Sequence, residues 1–157
     1  MTSDFSDALW DEYEHVYRGS WKPAEASPDF LRQWAAAESA AGRLRLGIAR
    51  IDGQPVAAQF WTCDHGVALI HKLAHLSGHD ALSPGTLLTH AMFRHAFDVD
   101  CVRRIDFGTG DDGYKRDWME ASAPLLRIRA WDLRQPAAWP AFAKASLSRV
   151  AARARGR

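Results

Sequence analysis

Three β-type runs joined by two tight turns, followed by strands that alternate with helices, leave few folds open to this chain. Arg43 to Ile51 alternates charged and apolar residues, the turn IDGQP leads into VAAQFWTC, and a second turn at Asp64-His65-Gly66 leads into VALIHKLAH. Strands joined by turns this short run antiparallel. The period then changes: Thr86 to Phe97 reads as helix, Arg104 to Phe107 as extended, Tyr114 to Glu120 as helix, Leu125 to Leu133 as extended and Pro136 to Arg153 as helix. Two helices precede the strands. Ser3 or Asp4 can cap the first, whose apolar positions are Phe5, Leu9, Tyr13, Val16 and Tyr17 and which Gly19 closes. Pro28 opens the second, with Phe30, Leu31, Trp34, Ala37 and Ala41 as its stripe and an end near Gly42. The order predicts an α/β sandwich of three layers, with a mixed sheet that begins as an antiparallel meander and continues with parallel strands.

A chain of 157 residues with 47% hydrophobic and 25% charged content suits one domain over residues 1–157. The formal net charge of +1 supplies no global field for nucleic acid or an anionic membrane. The basic run RVAARARGR from Arg149 reads as a solvated helix end. Cys63 and Cys101 form neither a disulfide framework nor a zinc pattern, which fits a reducing cytoplasm. The acidic N-terminus has no signal-peptide core, and no run approaches the roughly 20 apolar residues of a membrane span. The expectation is a soluble, unprocessed cytoplasmic protein with no nucleic-acid or membrane partner.

Two loops carry the chemistry. HLSGHDALSPG leads from a strand into the helix TLLTHAMFRHAF, whose N-terminal N–H groups and dipole can receive a pyrophosphate, with Gly85 permitting close approach. The plainer reading is that Ser83 caps that helix with Pro84 in its first turn. The second loop, Asp106-Phe107-Gly108-Thr109-Gly110, ends a parallel strand at its carboxyl edge, where open α/β sheets bind ligands. Tyr114 follows, and a phenol there can protonate a departing thiolate, although packing is an alternative role. DFG occurs, but without a GxGxxG loop, VAIK or HRD a kinase reading fails. Asp106, near the carboxyl edge, and His71, on the preceding strand, are groups that could accept a proton; the alternative for Asp106 is a cap on the glycine turn. Strand alternation puts His71, Leu73 and His75 on one face and Lys72 on the other. His71, His75 and His79 are evenly spaced, yet strand and loop are poor settings for a zinc site, and no metal is expected. The seven tryptophans are dispersed as packing residues, except Trp21 beside Lys22, in the loop between the first two helices.

The segments SWK at Ser20 to Lys22, DGQPVAAQ at Asp52 to Gln59, HKLAH at His71 to His75, LSPGTLL at Leu82 to Leu88 and IDFGTGDDGYKRDW at Ile105 to Trp118 together resemble the GNAT superfamily of acyl-CoA-dependent N-acyltransferases. The branch they resemble contains Fem-type transferases and CelD-type acetyltransferases of polysaccharide biosynthesis. The resemblance covers nearly the whole chain and implies the GNAT α/β fold, with acetyl-CoA as cosubstrate and a small-molecule or protein amine as acceptor. It implies cosubstrate contacts at Leu73, Ala74, His75, Leu82, Ser83, Gly85, Thr86, Leu87 and Lys115, a general acid at Tyr114, and acceptor contacts at Trp21 and Lys22. The resemblance also puts Asp106 first as a general base and leaves His71 second. The family's pyrophosphate loop, Q/R-x-x-G-x-G/A, corresponds to Asp80 to Gly85. Here Asp80 replaces Gln/Arg, Ser83 replaces the first glycine, and Pro84 lacks an N–H. Neither cysteine looks activated, so the amine is expected to attack the thioester directly. Two alternatives accompany this reading. One is Fem-type transfer from aminoacyl-tRNA, disfavoured because such proteins carry two repeats and extra basic surface. The other is a non-catalytic CoA-responsive or assembly module derived from a two-repeat protein, one repeat standing alone or half of a homodimer.

Overall fold

The computed structural model describes residues 1–110, 112–126 and 128–155, with side chains through residue 148. Its sheet is set by two turns. Strand β1, Leu44–Ile51, meets β2, Gln54–Asp64, through Asp52 and Gly53, and β2 meets β3, Val67–His75, through His65 and Gly66. All four loop residues have positive φ, at 50°, 80°, 47° and 76°. Two-residue turns of this type match the right-handed twist of the strands they join. Strand β4, Arg104–Asp106, lies parallel to β3, giving the order β1-β2-β3-β4. The outer edge of β1 is bridged by Thr2, which exchanges backbone hydrogen bonds with Leu46 at 3.0 and 2.9 Å.

Helices cover both faces. The first, α1 (Asp7–Arg18), starts at Ser6, whose side chain accepts from the Leu9 N–H at 3.3 Å. The cap lies later than Ser3 or Asp4 because the chain before it is engaged by β1 and by Ser39, whose hydroxyl donates to the Ser3 carbonyl. The second helix, α2 (Pro28–Ala40), lies on the same face. Trp10 and Trp34 meet the ring of Phe60 edge-on at 5.6 and 5.2 Å, within a core that includes Tyr13, Val16, Leu44 and Leu46. Helix α3, Pro84–Asp98, takes the opposite face, with Phe93 edge-on to Trp61 at 5.8 Å. Gly47 permits its close approach, since a Cβ there would stand 2.5 Å from Met92 Sδ and 3.1 Å from Leu88 Cδ1. Arg45 on β1 reaches Asp100, beyond α3, in a largely buried ion pair at 2.6 Å. These three layers are the α/β architecture expected, with a mixed sheet.

One local feature departs from simple alternation. Phe60 pairs with Lys72 and Trp61 with Ile70, so His71 is an extra residue on β3. A bulge of this kind resets the pleat. His71 and Lys72 therefore both lie on the α1–α2 face, the imidazole 4.3 Å from the Trp34 ring and the Lys72 ammonium 5.6 Å from the Tyr17 ring. His75 lies on the other face beside Gly85. The expected grouping of His71 with His75, opposite Lys72, is corrected by this one insertion.

The chain divides into two compact units, Met1–Asp117 and Trp118–Arg157, and the sheet with its helices belongs to the first. Helix α4 is a single turn, Gly113–Arg116, instead of reaching Glu120. In the second unit, the stretch expected as a strand from Leu125 to Leu133 is not one among the described residues, and Arg127 lies outside them. Leu125, Leu126 and Ile128 are 79%, 85% and 91% exposed. Extended, apolar composition does not make a strand without a neighbouring ladder. A 3₁₀ turn, Pro136–Ala138, leads into α5, Trp139–Arg155, where Trp131 packs edge-on against Phe142 at 5.8 Å.

Gly47→Val should overpack the α3 contact and cost about 1–3 kcal/mol in denaturant unfolding. A second expectation concerns His71, where burial, partly opposed by Glu38, pushes the imidazole down to about 4. The unfolded chain takes up this proton near 6.5 and the folded chain near 4, so the neutral ring's contribution is present above 6.5 and is lost as pH falls through that window. Urea titrations of His71→Gln should show a flatter loss of stability between those two values than the unaltered chain; parallel curves would mean that the ring protonates freely in the fold.

Candidate functional site

The site grows from the place where β3 and β4 part. Their ladder runs only from Val67↔Arg104 to Leu69↔Asp106, while β3 continues to His75. After Asp106 the chain turns away through Gly108 at φ 66°, and the Asp106 Oδ1 accepts the Gly108 N–H at 2.8 Å. From Ile70 onward β3 has β2 on one side and, among the described residues, no strand on the other. Leu73, Ala74 and His75 lie along this open edge. An extended ligand arm can pair with backbone there as an added strand would.

The start of α3 is the second component. Ser83 sits in the left-handed region at φ 47° and ψ 46°, and its side chain does not cap the helix; the hydroxyl donates instead to the Asp80 carbonyl at 3.4 Å. The first hydrogen bond of this helix runs from the Leu87 N–H to the Ser83 carbonyl at 3.1 Å, so the N–H groups of Gly85 and Thr86 precede it. Two donors with no backbone partner outside the helix among the described residues, at the positive end of a 15-residue helix, suit an anion. A Cβ on Gly85 would stand 3.1 Å from His75 Nδ1, so the glycine keeps this approach open. Asp80, which carries the charge least suited to a phosphate loop, pairs with His75 Nε2 at 2.9 Å. That bond, with help from the Gly78 N–H, holds its carboxyl below the usual range. Leu82 and Leu87 flank the loop with exposed apolar side chains.

Tyr114 and Lys115 differ in role although they are neighbours. Tyr114 is 38% exposed, with its ring 6.4 Å from that of Phe107. Burial, reinforced by the Asp112 carboxylate, raises its phenol pKa, which keeps the proton in place for donation. Lys115 is buried and turned inward: its Nζ donates to the Thr109 carbonyl at 2.7 Å and lies 3.4 Å from Asp112 Oδ2. It clamps the glycine-rich turn that carries β4 away from β3.

The loop between α1 and α2 faces the end of β3. Trp21 is 54% exposed and packs against the His75 ring at 4.5 Å, and the Lys22 ammonium lies over the indole at 5.4 Å. Glu25 pairs with Lys72 at 2.5 Å, and the buried Tyr13 hydroxyl has no hydrogen-bond partner among the described residues. His71 stands apart from these residues, its Nε2 2.7 Å from the Thr62 hydroxyl and its ring under Trp34. Burial followed by the Asp100 carboxylate pushes the Cys63 thiol up to about 11, so it remains protonated at neutral pH. Among the described residues no three His, Cys, Asp or Glu side chains are grouped as a metal site would require.

Sequence reasoning missed two contributors. Gln59, buried on β2, donates to the Thr89 hydroxyl at 2.7 Å and the Gly85 carbonyl at 3.3 Å, and accepts from the Trp61 indole at 2.9 Å. An amide inside the apolar run VAAQFW was the available signal. Lys72 was missed because the bulge that turns it toward Glu25 has no distinctive residue.

An Acetyltransferase (GNAT) domain family model matches residues 2–116. Among solved structures, the aminoglycoside 6'-N-acetyltransferase AAC(6')-IG from Acinetobacter haemolyticus is 14% identical with a TM-score of 0.59, over 82% of this chain and 97% of that one. AAC(6')-Iy, solved with the bisubstrate analogue CoA-S-monomethyl-acetylneamine, is 13% identical with a TM-score of 0.59, over 80% and 95% of the two chains. A GNAT family acetyltransferase from Brucella melitensis, solved with acetyl-CoA, is 18% identical with a TM-score of 0.55, over 73% and 78%. At these identities the likeness is one of fold. No curated protein matches the chain in sequence. The family match spans the sheet, the helices on its two faces and the glycine turn as far as Arg116, and the chain belongs to the GNAT acetyltransferase domain family.

Proposed function

We propose that this chain transfers an acyl group, in the first instance acetyl, from acyl-CoA to a primary amine in the cytoplasm. Its five short motifs favour the branch of Fem-type and CelD-type enzymes. The observation that carries the reading is the open edge of β3 beyond Leu69, which has the uncapped start of α3 at one end and the turn leading to Tyr114 beside it. Neighbours solved with CoA or acetyl-CoA support the same cosubstrate here. Acetyl-CoA supplies a thioester-activated acetyl group. The N–H groups of Gly85 and Thr86 would hold its pyrophosphate, and the backbone of Leu73 to His75 would align its extended arm. Backbone N–H groups on the same edge would polarise the thioester carbonyl. Tyr114, kept protonated, would donate to the departing thiolate.

Of the two bases that the sequence offers, Asp106 is the better placed to accept the amine's proton, at the carboxyl end of β4. Its Oδ1 caps the glycine turn by accepting the Gly108 N–H, so the proton would go to its other carboxylate oxygen. Burial pushes the His71 imidazole down to about 4 inside the packed face, which makes it a weak acceptor. The raised Cys63 thiol supports direct attack by the amine over an acyl-cysteine route.

Calorimetric titration with acetyl-CoA tests the cosubstrate, and thiol release with a panel of amines tests the transfer. Gly85→Val should weaken acetyl-CoA binding at least tenfold by filling the approach beside His75; unchanged affinity would move the pyrophosphate away from α3. Tyr114→Phe should lower kcat by about 10²-fold with little change in acetyl-CoA affinity. Full activity in that variant would remove Tyr114 from the chemistry, and a folded protein that binds no acetyl-CoA would favour the non-catalytic assembly module.

A further inference from the structure

Lys22 differs from the other lysines around the open edge of β3. Lys72 pairs with Glu25, and Lys115 is bonded to the Thr109 carbonyl beside Asp112. Lys22 has the face of Trp21 at 5.4 Å and no carboxylate within ion-pair distance among the described residues. Its position is nevertheless defined, because the indole beneath it rests on His75 at the end of β3. A cation on an aromatic face is held in place without being neutralised. Burial lowers its pKa most, Asp112 opposes that, and Lys115 and Lys72 add to the lowering. All three charged groups are thus within its electrostatic reach. Lys72 and Lys115 each have a carboxylate beside them, so Lys22 is the ammonium left to face an approaching molecule, and such a charge attracts an anion and repels a further cation.

We propose that Lys22, seated on Trp21, binds a carboxylate or phosphate carried by the acceptor, so that this chain acetylates amines that also bear negative charge and discriminates against polycations. The inference rests on the acyl-transfer reading above and specifies its substrate class. The reacting amine must shed its proton and attack the thioester, while a second, anionic group on the same molecule pairs with Lys22 and orients it. Amino acids and phosphorylated amino sugars have this chemistry. Aminoglycosides, for which several structural neighbours are named, carry several ammonium groups and no anion. A fixed ammonium at Lys22 would disfavour acceptors of that kind here.

The test is thiol release from acetyl-CoA with matched acceptors: glucosamine 6-phosphate against glucosamine, phenylalanine against phenylalaninamide, and neamine as the polycation. At least one anionic acceptor should exceed its neutral partner tenfold or more in kcat/KM, with neamine slowest, and the pair that responds distinguishes phosphate from carboxylate. Lys22→Met should erase that advantage through KM while leaving the calorimetric Kd for acetyl-CoA unchanged, and Lys22→Arg should retain it. Equal use of neutral partners, a preference for neamine, or no turnover of any anionic acceptor by protein that binds acetyl-CoA would overturn the proposal. So would a tenfold loss of acetyl-CoA affinity in Lys22→Met, which would assign the ammonium to the cosubstrate's phosphates. The comparison of acceptors uses the unaltered chain and does not depend on how the variants fold. Failure of that chain to bind acetyl-CoA would instead remove the acyl-transfer reading beneath it.

Discussion

The separation of β4 from β3 after three paired residues is the constraint on which the site depends. A parallel ladder once begun tends to continue, since each added residue satisfies backbone groups otherwise left to water. Here it is stopped by side chains: Asp106 takes the Gly108 N–H, Gly108 adopts a positive φ, and Lys115 fastens the far side of the turn through Thr109. The result is an exposed strand edge inside a folded domain. Such an edge is a liability in most proteins and becomes useful where a ligand can complete it.

The second requirement is that the start of α3 lie over the end of that edge. Two contacts set its distance and register. Gly47 lets Met92 and Leu88 approach β1, and Gln59 reaches from β2 to Gly85 and Thr89 in the first turns of the helix. A buried amide is costly unless satisfied, and this one is engaged through both its nitrogen and its oxygen, so it acts as a positional key as well as a packing residue. The opposite face is a conventional aromatic core. It carries the α1–α2 loop, and through Trp21 and His75 it links that loop to the same end of β3.

Much of this was legible because its chemistry is local. Asp52-Gly53 and His65-Gly66 announce two-residue turns by themselves, and those turns dictate the meander and hence the antiparallel half of the sheet. Pro84 and Gly85 marked the start of α3, and the spacing of Gly108, Gly110 and Tyr114 marked the turn after β4. What escaped was non-local. The extra residue at His71 leaves no trace in composition, yet it decides whether Lys72 faces Glu25 or the other side of the sheet. Lys115 was expected to face the cosubstrate, and the structure turns its ammonium onto the Thr109 carbonyl, a contact set by how the turn folds back. The run from Leu125 has the composition of a strand, but strands exist in pairs, and a partner cannot be read from one segment alone.

The unequal reach of these contacts has a kinetic consequence. The β1-β2-β3 meander closes through two-residue turns, whereas β4 joins β3 only after the long crossover from Leu76 to Arg103 has formed, with Arg45 and Asp100 fixing it across the sheet. Loop closure of that length delays the β3–β4 pairing relative to the hairpins. A ladder of three residues also has few bonds to hold it against local opening. The end of the sheet proposed for acyl transfer is thereby placed among the last parts of it to form and the first to exchange its amide protons, on a meander that stays closed beneath it.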